Sequence, residues 1–373
     1  MENIAVIYGG KSVEHDISII TAMQVMKNLS KKHNLIPVYI KQDGKMVTGE
    51  NLSTPQVYLD YAKNVKKERE VVLLPGKGQL AIVGHNKIKQ RFNIAAAILC
   101  NHGHGGEDGS LQGLLEMCEI PYSSPSVASS AICMDKGFTK NILAASGLET
   151  VAYVQISKCE YERNVRAGCE LIKDFISFPC IVKPARLGSS VGISICEDEE
   201  SLASCMEGAF LYDDRVIVEK YIENAKEYFC AVLNVSDKLI ASKVDRADKD
   251  KMFTFEEKYL KKKSGDKKGV DEKFAQRVRD LAKEAYKALD CDGVVRVDFL
   301  YDEGKDILYI NEVNTIPGSL AFNLFSTKFE DLLNGLIVSA KEKFARKKEI
   351  VYKFNSSAIE AYINLIQNEK MQK

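Results

Sequence analysis

The 373-residue sequence predicts an α/β (α+β) fold whose N-terminal part is doubly wound. Three observations carry that prediction. Residues 3–40 read as strand, glycine turn, helix and strand, the opening of a doubly wound unit. Residues 94–100 are continuously apolar and open into a glycine-rich loop, as a buried parallel strand would. Residues 293–300 and 309–315 read as two strands joined around Gly304, with polar and apolar side chains on opposite faces.

The first strand, residues 3–8, stops at Gly9-Gly10. Residues 11–16 then lead into an amphipathic helix of Ile17, Ile20, Met23, Met26 and Leu29. Ligands of open α/β sheets bind at the carboxyl ends of the strands, so Glu14 stands where it could meet a cationic group. A helix-entry carboxylate with no ligand is the competing reading. Residues 41–90 are polar and irregular and announce no chemistry. After the apolar run comes Asn101-His102-Gly103-His104-Gly105-Gly106-Glu107-Asp108-Gly109. Its glycines permit close backbone approach, and the following helix start favours an anion. A His-x-His pair without a third ligand argues against a metal, and for a role of His102 toward a substrate anion.

Pro121 to Pro125 marks a boundary, and a helix follows through Met134-Asp135-Lys136, Thr139, Ile142 and Leu143. Residues 178–184 form a strand ending near Lys183. It runs into Ala185-Arg186-Leu187-Gly188-Ser189-Ser190-Val191-Gly192, a loop able to fold over phosphates and donate backbone N–H groups. It is neither a Walker A loop nor a dinucleotide Gly-x-Gly-x-x-Gly, and a plain hairpin is the alternative. Strand 216–222, a short linker and strand 227–233 follow, where an adenine could stack. Residues 258–268 are basic and contain glycine: a solvated loop, or a lid over a phosphate. Phe274, Val278, Leu281, Ala285 and Leu289 recur at helical spacing and read as core. From Lys341 onward two amphipathic segments flank Arg346-Lys347-Lys348.

In the hairpin, symmetric pairing about Lys305 sets Asp298 opposite Glu312 and Arg296 opposite Asn314. One face then carries two carboxylates, an amide and a guanidinium. Hard oxygen donors of this kind suit Mg²⁺ shared with substrate phosphates. A surface hairpin with solvated charges is the alternative.

Lys plus Arg equals Asp plus Glu, 52 each, so charge predicts no nucleic-acid or membrane partner. Met1-Glu2-Asn3 enters a strand without a basic leader, and no apolar run approaches the roughly 18–20 residues that span a bilayer. The 10 cysteines are scattered, as expected of reduced thiols in a cytoplasmic protein. The length predicts two or three domains.

Together these segments resemble the ATP-grasp superfamily, and within it the D-alanine–D-alanine ligase family, over residues 3 to 335. The resemblance rests on Gly9-Gly10-x-Ser12-x-Glu14, the His102 to Gly113 loop, Met134-Asp135-Lys136, Lys183 to Gly192, Glu219-Lys220, Glu257-Lys258-Tyr259, Arg296-x-Asp298 and Asn311 to Gly318. Eight motifs in order are far more specific than any one. The resemblance implies an ATP-grasp fold: residues 1–124 a pre-ATP-grasp domain binding the first substrate, 125–222 a central subdomain with the phosphate loop, 223–345 a C-terminal subdomain with the metal hairpin and lid, and 346–373 a helical tail.

It also implies an ATP-dependent ligase that joins two D-alanines through an acyl phosphate for peptidoglycan precursor synthesis, with a different dipeptide as the alternative. Glu219, Lys220, Ile222 and the linker would hold adenine, with Glu227 on the ribose. Lys136, Lys183, Gly188, Ser189, Ser190 and Val191 would hold the triphosphate. Asp298, Glu312 and Asn314 would hold two Mg²⁺, with Mn²⁺ able to stand in. Glu14 would take the first ammonium, with His102 near its carboxylate, and Ser189 and Tyr259 would link phosphate loop, lid and Glu14. Arg296 and the Gly318 N–H would hold the tetrahedral intermediate. Lys258, Asn323 and Leu324 would contact substrate, and a homodimer is implied. Where the family carries Ser before the next helix, this chain has Asn323 between Phe322 and Phe325. These rings are expected to alter the second-substrate pocket. Tyr259 favours an amine over a hydroxy acid as nucleophile.

Overall fold

The structure is a computed structural model that describes residues 1–29, 31–85, 87–247, 270–352, 354 and 356–371. Its first sheet contains β1 (Asn3–Gly9), β2 (Asn34–Ile40), β3 (Met46–Thr48), β4 (Arg69–Leu74), β5 (Gln79–Gly84), β6 (Lys87–Asn93) and β7 (Ala96–Leu99). The order is β6-β5-β4-β3-β2-β1-β7. β1 pairs in parallel with β2 and β7, and the helix His15–Leu29 makes the crossover. The β7 residues are all buried, which is why that strand is uniformly apolar. Residues 41–90, silent in the sequence, supply most of the antiparallel strands β3–β6 that extend the sheet. Nearly all of β6 is exposed, so it shows no buried stripe.

The second sheet, ordered β10-β9-β11-β8, contains β8 (Tyr153–Ser157), β9 (Cys180–Pro184), β10 (Ser194–Cys196) and β11 (Arg215–Lys220). The helices Val165–Phe175 and Glu199–Phe210 cover it, burying Ile172, Leu202 and Met206 against Val182, Val216 and Val218. Each large apolar side chain buried in this way contributes about 1.5–3 kcal/mol.

The third sheet contains β12 (Lys226–Val235), β13 (Lys238–Ala241), β14 (Asp245–Arg246), β15 (Val294–Asp302) and β16 (Ile307–Asn314). The helix Glu272–Ala288 buries Val278, Ala282 and Ala285 on it, as its spacing predicts. Cys133 and Leu143, from the helices Val127–Met134 and Lys136–Ala145, join the same core. The single helix expected across residues 126–143 is thus two. It breaks at Asp135, whose carboxylate caps the second piece by accepting from the N–H groups of Gly137 (3.0 Å) and Phe138 (3.2 Å), a strong N-cap arrangement.

After β16 the chain returns to the first core, where Ile316, Leu320, Leu324, Phe329, Leu333 and Leu336 pack with the first sheet. This return brings Thr315 and Ile316 to Glu107, and Ser319 to Thr21 on the helix after β1. A last helix, Ala358–Met371, is mostly exposed. Among the described residues no helix is long and apolar enough to cross a membrane.

Candidate active site

The site forms where the entry to the helix His15–Leu29, the loop after β9 and the segment after β16 converge. Glu14 is 7% exposed and accepts a 2.5 Å hydrogen bond from the Ser189 hydroxyl. Two glycines make this approach possible. A Cβ on Gly103 would lie 2.5 Å from Ser12 Oγ and 3.0 Å from Glu14 Oε2, and one on Gly188 would lie 2.9 Å from Glu14 Oε2. Ser189 and Ser190 themselves sit at φ 54° and 58°, a left-handed turn that bends the loop over the carboxylate. The loop after β9 and the Glu14 carboxylate are therefore one joined structure.

Behind the loop lies a buried lysine cluster. Lys136 Nζ donates to the Leu187 carbonyl at 2.7 Å and stands 3.8 Å from Glu312 Oε2. Burial pulls the Lys136 ammonium below its ordinary pKa, against the pull of Glu312. Lys183 Nζ is 2.9 Å from Glu219 Oε2, and Lys140 Nζ is 3.2 Å from Glu219 Oε1. Burial alone would raise the Glu219 carboxyl, but Lys140 and Lys183 outweigh it and hold it below the usual range. Lys140, 0% exposed, was not singled out in the sequence. Its signal was its place one helical turn after Lys136, on the same face.

The base of the loop is fixed separately. Arg186 donates to Asp213 from its backbone N–H at 2.7 Å and from Nε at 3.1 Å. β11 ends at Lys220, which is exposed. Ile222 lies in the linker, and Glu227 stands near the start of β12.

The hairpin has the predicted pairing, Arg296 opposite Asn314 and Asp298 opposite Glu312, with a register shift just beyond Asp298 where Phe299 meets Ile310. The shift leaves Asn311 as an extra residue, a β-bulge, and without it the two acidic residues would fall out of line. Arg296 grips Asp298 with two bonds, 2.6 Å from Nε and 2.7 Å from Nη2, and Asn314 Nδ2 donates to Asp298 at 3.2 Å. The guanidinium also lies 5.3 Å from the Phe229 ring centre. Two carboxylates and an amide on adjacent strands form a hard-oxygen donor set, which fits a divalent cation that completes its shell with phosphate and water. Among the described residues no three His, Cys, Asp or Glu side chains cluster as metal ligands.

The glycine-rich loop departs from expectation. Glu107 accepts from Gly103 N–H at 2.8 Å, and Asp108 accepts from Gly105 N–H at 2.7 Å and Ser110 N–H at 3.0 Å. At the start of the helix Ser110–Met117 the Asp108 carboxylate accepts the first N–H. Glu107 also accepts from Ile316 N–H at 2.8 Å. Burial, then repulsion from Glu14, pushes its carboxyl up to about 8. His102 is 4% exposed, and burial brings its imidazole down to about 4, so it is neutral at pH 7. Its Nε2 lies 3.0 Å from Thr21 Oγ1. Thr21 was missed in the sequence, although Ser18 and Thr21 on the helix and Glu14 just before it are buried polar residues at helical spacing.

Gly318 begins a short segment in which Ser319, Leu320 and Ala321 have φ of 52°, 50° and 50°. Left-handed backbone costs roughly 1–2 kcal/mol for each such residue, and here the buried Leu320 and Ala321 side chains offset it. Asn323 is exposed, whereas Leu324 is buried and its carbonyl accepts from Lys243 N–H at 3.1 Å. Phe322 and Phe325 are each partly buried. Phe322 stacks on Phe329 with centroids 4.4 Å apart, and Phe325 packs on the same core. Tyr259 and Lys258 lie outside the described residues.

Comparison with known proteins follows this geometry. The family described as D-ala D-ala ligase N-terminus matches residues 3–125, and D-ala D-ala ligase C-terminus matches residues 142–336. A D-alanine--D-alanine ligase of Thermosipho melanesiensis is 36% identical over 93% of this chain and 96% of its own length. One from Staphylococcus carnosus is 35% identical over 95% of this chain and 99% of its own. Among solved structures, the D-alanine-D-alanine ligase of Coxiella burnetii superposes with TM-score 0.78 at 26% identity, covering 98% of this chain and 99% of that one. The VanG D-Ala:D-Ser ligase of Enterococcus faecalis superposes with TM-score 0.72 at 30% identity, covering 92% and 98%.

Proposed function

The chain belongs to the D-alanine–D-alanine ligase family of ATP-grasp enzymes, and from that premise we propose how its own residues join two D-alanines with ATP. The observation that carries the proposal is the 2.5 Å bond between Ser189 and Glu14. It couples the loop that would hold the γ-phosphate to the carboxylate that would hold the first substrate's ammonium.

A carboxylate is a poor electrophile at neutral pH. The enzyme first places the carboxylate of one D-alanine in line with the ATP γ-phosphoryl group, and transfer yields an acyl phosphate and ADP. Glu14 orients that D-alanine through its ammonium. Lys136, Lys183 and the N–H groups of the 188–191 turn bind the triphosphate. The strand end at Glu219 and Lys220, the linker at Ile222 and the Glu227 carboxylate hold adenine and ribose. Asp298, Glu312 and Asn314 would hold Mg²⁺, two ions with Mn²⁺ able to replace them, and the metal supplies charge neutralisation at the transferring phosphoryl group.

The amine of the second D-alanine then attacks the acyl carbon, and phosphate leaves. Arg296 and the Gly318 N–H stabilise the oxyanion, while Asn323 and Leu324 contact the second substrate. Lys258 and Tyr259 would close the site and exclude water. We place the enzyme in the cytoplasm as a homodimer, with the subdivision at residues 124, 222 and 345 given above. Purified protein with ATP, Mg²⁺ and D-alanine is expected to release ADP, phosphate and dipeptide in equal amounts. ADP release that does not depend on D-alanine would overturn the reading.

A second reading keeps the chemistry and changes the second amino acid. It is supported by Asn323 at the substrate-facing position and by likeness to a D-Ala:D-Ser ligase.

A further inference from the structure

The Gly318 N–H lies between two backbone N–H groups that are both held by side chains from the first 124 residues. On one side Ile316 N–H donates to Glu107 Oε1 at 2.8 Å. On the other, Ser319 N–H donates to Thr21 Oγ1 at 3.1 Å. Thr21 is fully buried on the helix His15–Leu29, and its hydroxyl has one further partner, His102 Nε2 at 3.0 Å.

The Ser319 backbone supplies the N–H, so the Thr21 oxygen is the acceptor. A hydroxyl has one proton and two acceptor lone pairs, so this bond holds whichever tautomer His102 presents at Nε2. Ser319 is the first of three successive left-handed residues, so the peptide between Gly318 and Ser319 is the point at which the backbone turns into an unfavoured conformation. An anchor at that peptide sets the direction of the neighbouring Gly318 N–H.

We propose that Thr21 is a positioning residue for the second half of the reaction. By holding Ser319 N–H it aims the Gly318 N–H at the oxyanion formed when the second amine attacks. Thr21 does not touch substrate, and it stands about two helical turns beyond Glu14, near the middle of the helix His15–Leu29, so one helix would serve both half-reactions. The inference rests on the ligase reading and on the role of Gly318 within it.

Thr21→Val keeps the side chain's shape and removes only the hydroxyl, and Thr21→Ser retains the hydroxyl. Steady-state kinetics and rapid-quench single turnovers are run on wild type and both variants. Thr21→Val is expected to form dipeptide roughly 10–100-fold more slowly, the loss typical of a disturbed oxyanion donor. Its KM for ATP and for the first D-alanine should stay within about twofold, and ADP should form at the wild-type rate. ADP should then exceed dipeptide, because the acyl phosphate lingers and hydrolyses. Thr21→Ser should recover most of the rate. Unchanged dipeptide formation in Thr21→Val, or equal slowing of ADP and dipeptide, overturns the inference. If Thr21→Val does not fold, Thr21→Ala is read by the same ratio of ADP to dipeptide. A wild type that makes no dipeptide overturns the ligase reading, and this inference with it.

Discussion

Ser189 reaches across from the loop after β9 to Glu14 and donates to it at 2.5 Å, although the two residues are 175 positions apart in the chain. A hydrogen bond to a charged group contributes about 1.5–3 kcal/mol. Ser189→Ala is therefore expected to lower kcat/KM for the first D-alanine roughly tenfold to a hundredfold. Nucleotide affinity should change less, which direct ATP titration checks. A loss confined to ATP binding would show that the bond serves the phosphates alone.

Glu219 lies between Lys140 and Lys183 with almost no solvent contact. Glu219→Gln removes the carboxylate that bridges the two ammonium groups. Leaving buried charge uncompensated costs about 3–5 kcal/mol. Urea unfolding should show a loss of that order, and the KM for ATP should rise. A variant as stable as wild type would mean that water reaches the cluster.

Asp298 is held by Arg296 at 2.6 and 2.7 Å, so the residues proposed to hold the metal and the oxyanion share one ion pair. A chelator should abolish activity and Mg²⁺ should restore it. Even outer-shell partners of a metal change affinity by roughly 10–100-fold, so Asp298→Asn should raise the half-saturating Mg²⁺ concentration at least as much. Activity measured against free Mg²⁺ reads this directly, and an unshifted curve would remove Asp298 from the metal site.

The hairpin shows how much was legible beforehand. Its register followed from period-two alternation and from the chemistry shared by residues 296, 298, 312 and 314. The bulge that preserves this register is invisible to such a pattern, because Asn311 looks like any other strand residue. The break at Asp135 was hidden in the same way, since a capping Asp between two apolar turns keeps helical spacing on either side. Within residues 41–90, β6 was concealed because nearly all of it is exposed, whereas β3, β4 and β5 are short strands with only a few buried residues each. Lys140 and Thr21 were missed for a different reason. Each is ordinary in sequence, and only its buried partner 79 or 81 residues away gives it a role.

Glu107 predicts a pH dependence of stability. Its carboxyl titrates near 4.5 ordinarily and is pushed up to about 8 in the fold, by burial and then by Glu14. Between those values the folded chain keeps a proton that the unfolded chain has released. Its contribution to stability is therefore present below pH 4.5 and is lost as pH rises toward 8. Glu107→Gln cannot ionise and should lack this component. Urea midpoints at pH 5, 6.5 and 8 should fall more steeply for wild type than for Glu107→Gln, and parallel curves would place the ionisation elsewhere.

The identity of the product tests the whole account most directly. The protein is incubated with ATP, Mg²⁺, D-alanine and an equal concentration of D-serine, and the dipeptides are resolved by mass spectrometry beside phosphate release. The account predicts D-alanyl-D-alanine as the dominant product, one for each phosphate released. A dominant mixed dipeptide would keep the acyl-phosphate chemistry and reassign the pocket around Asn323. Phosphate release without any dipeptide would contradict the account.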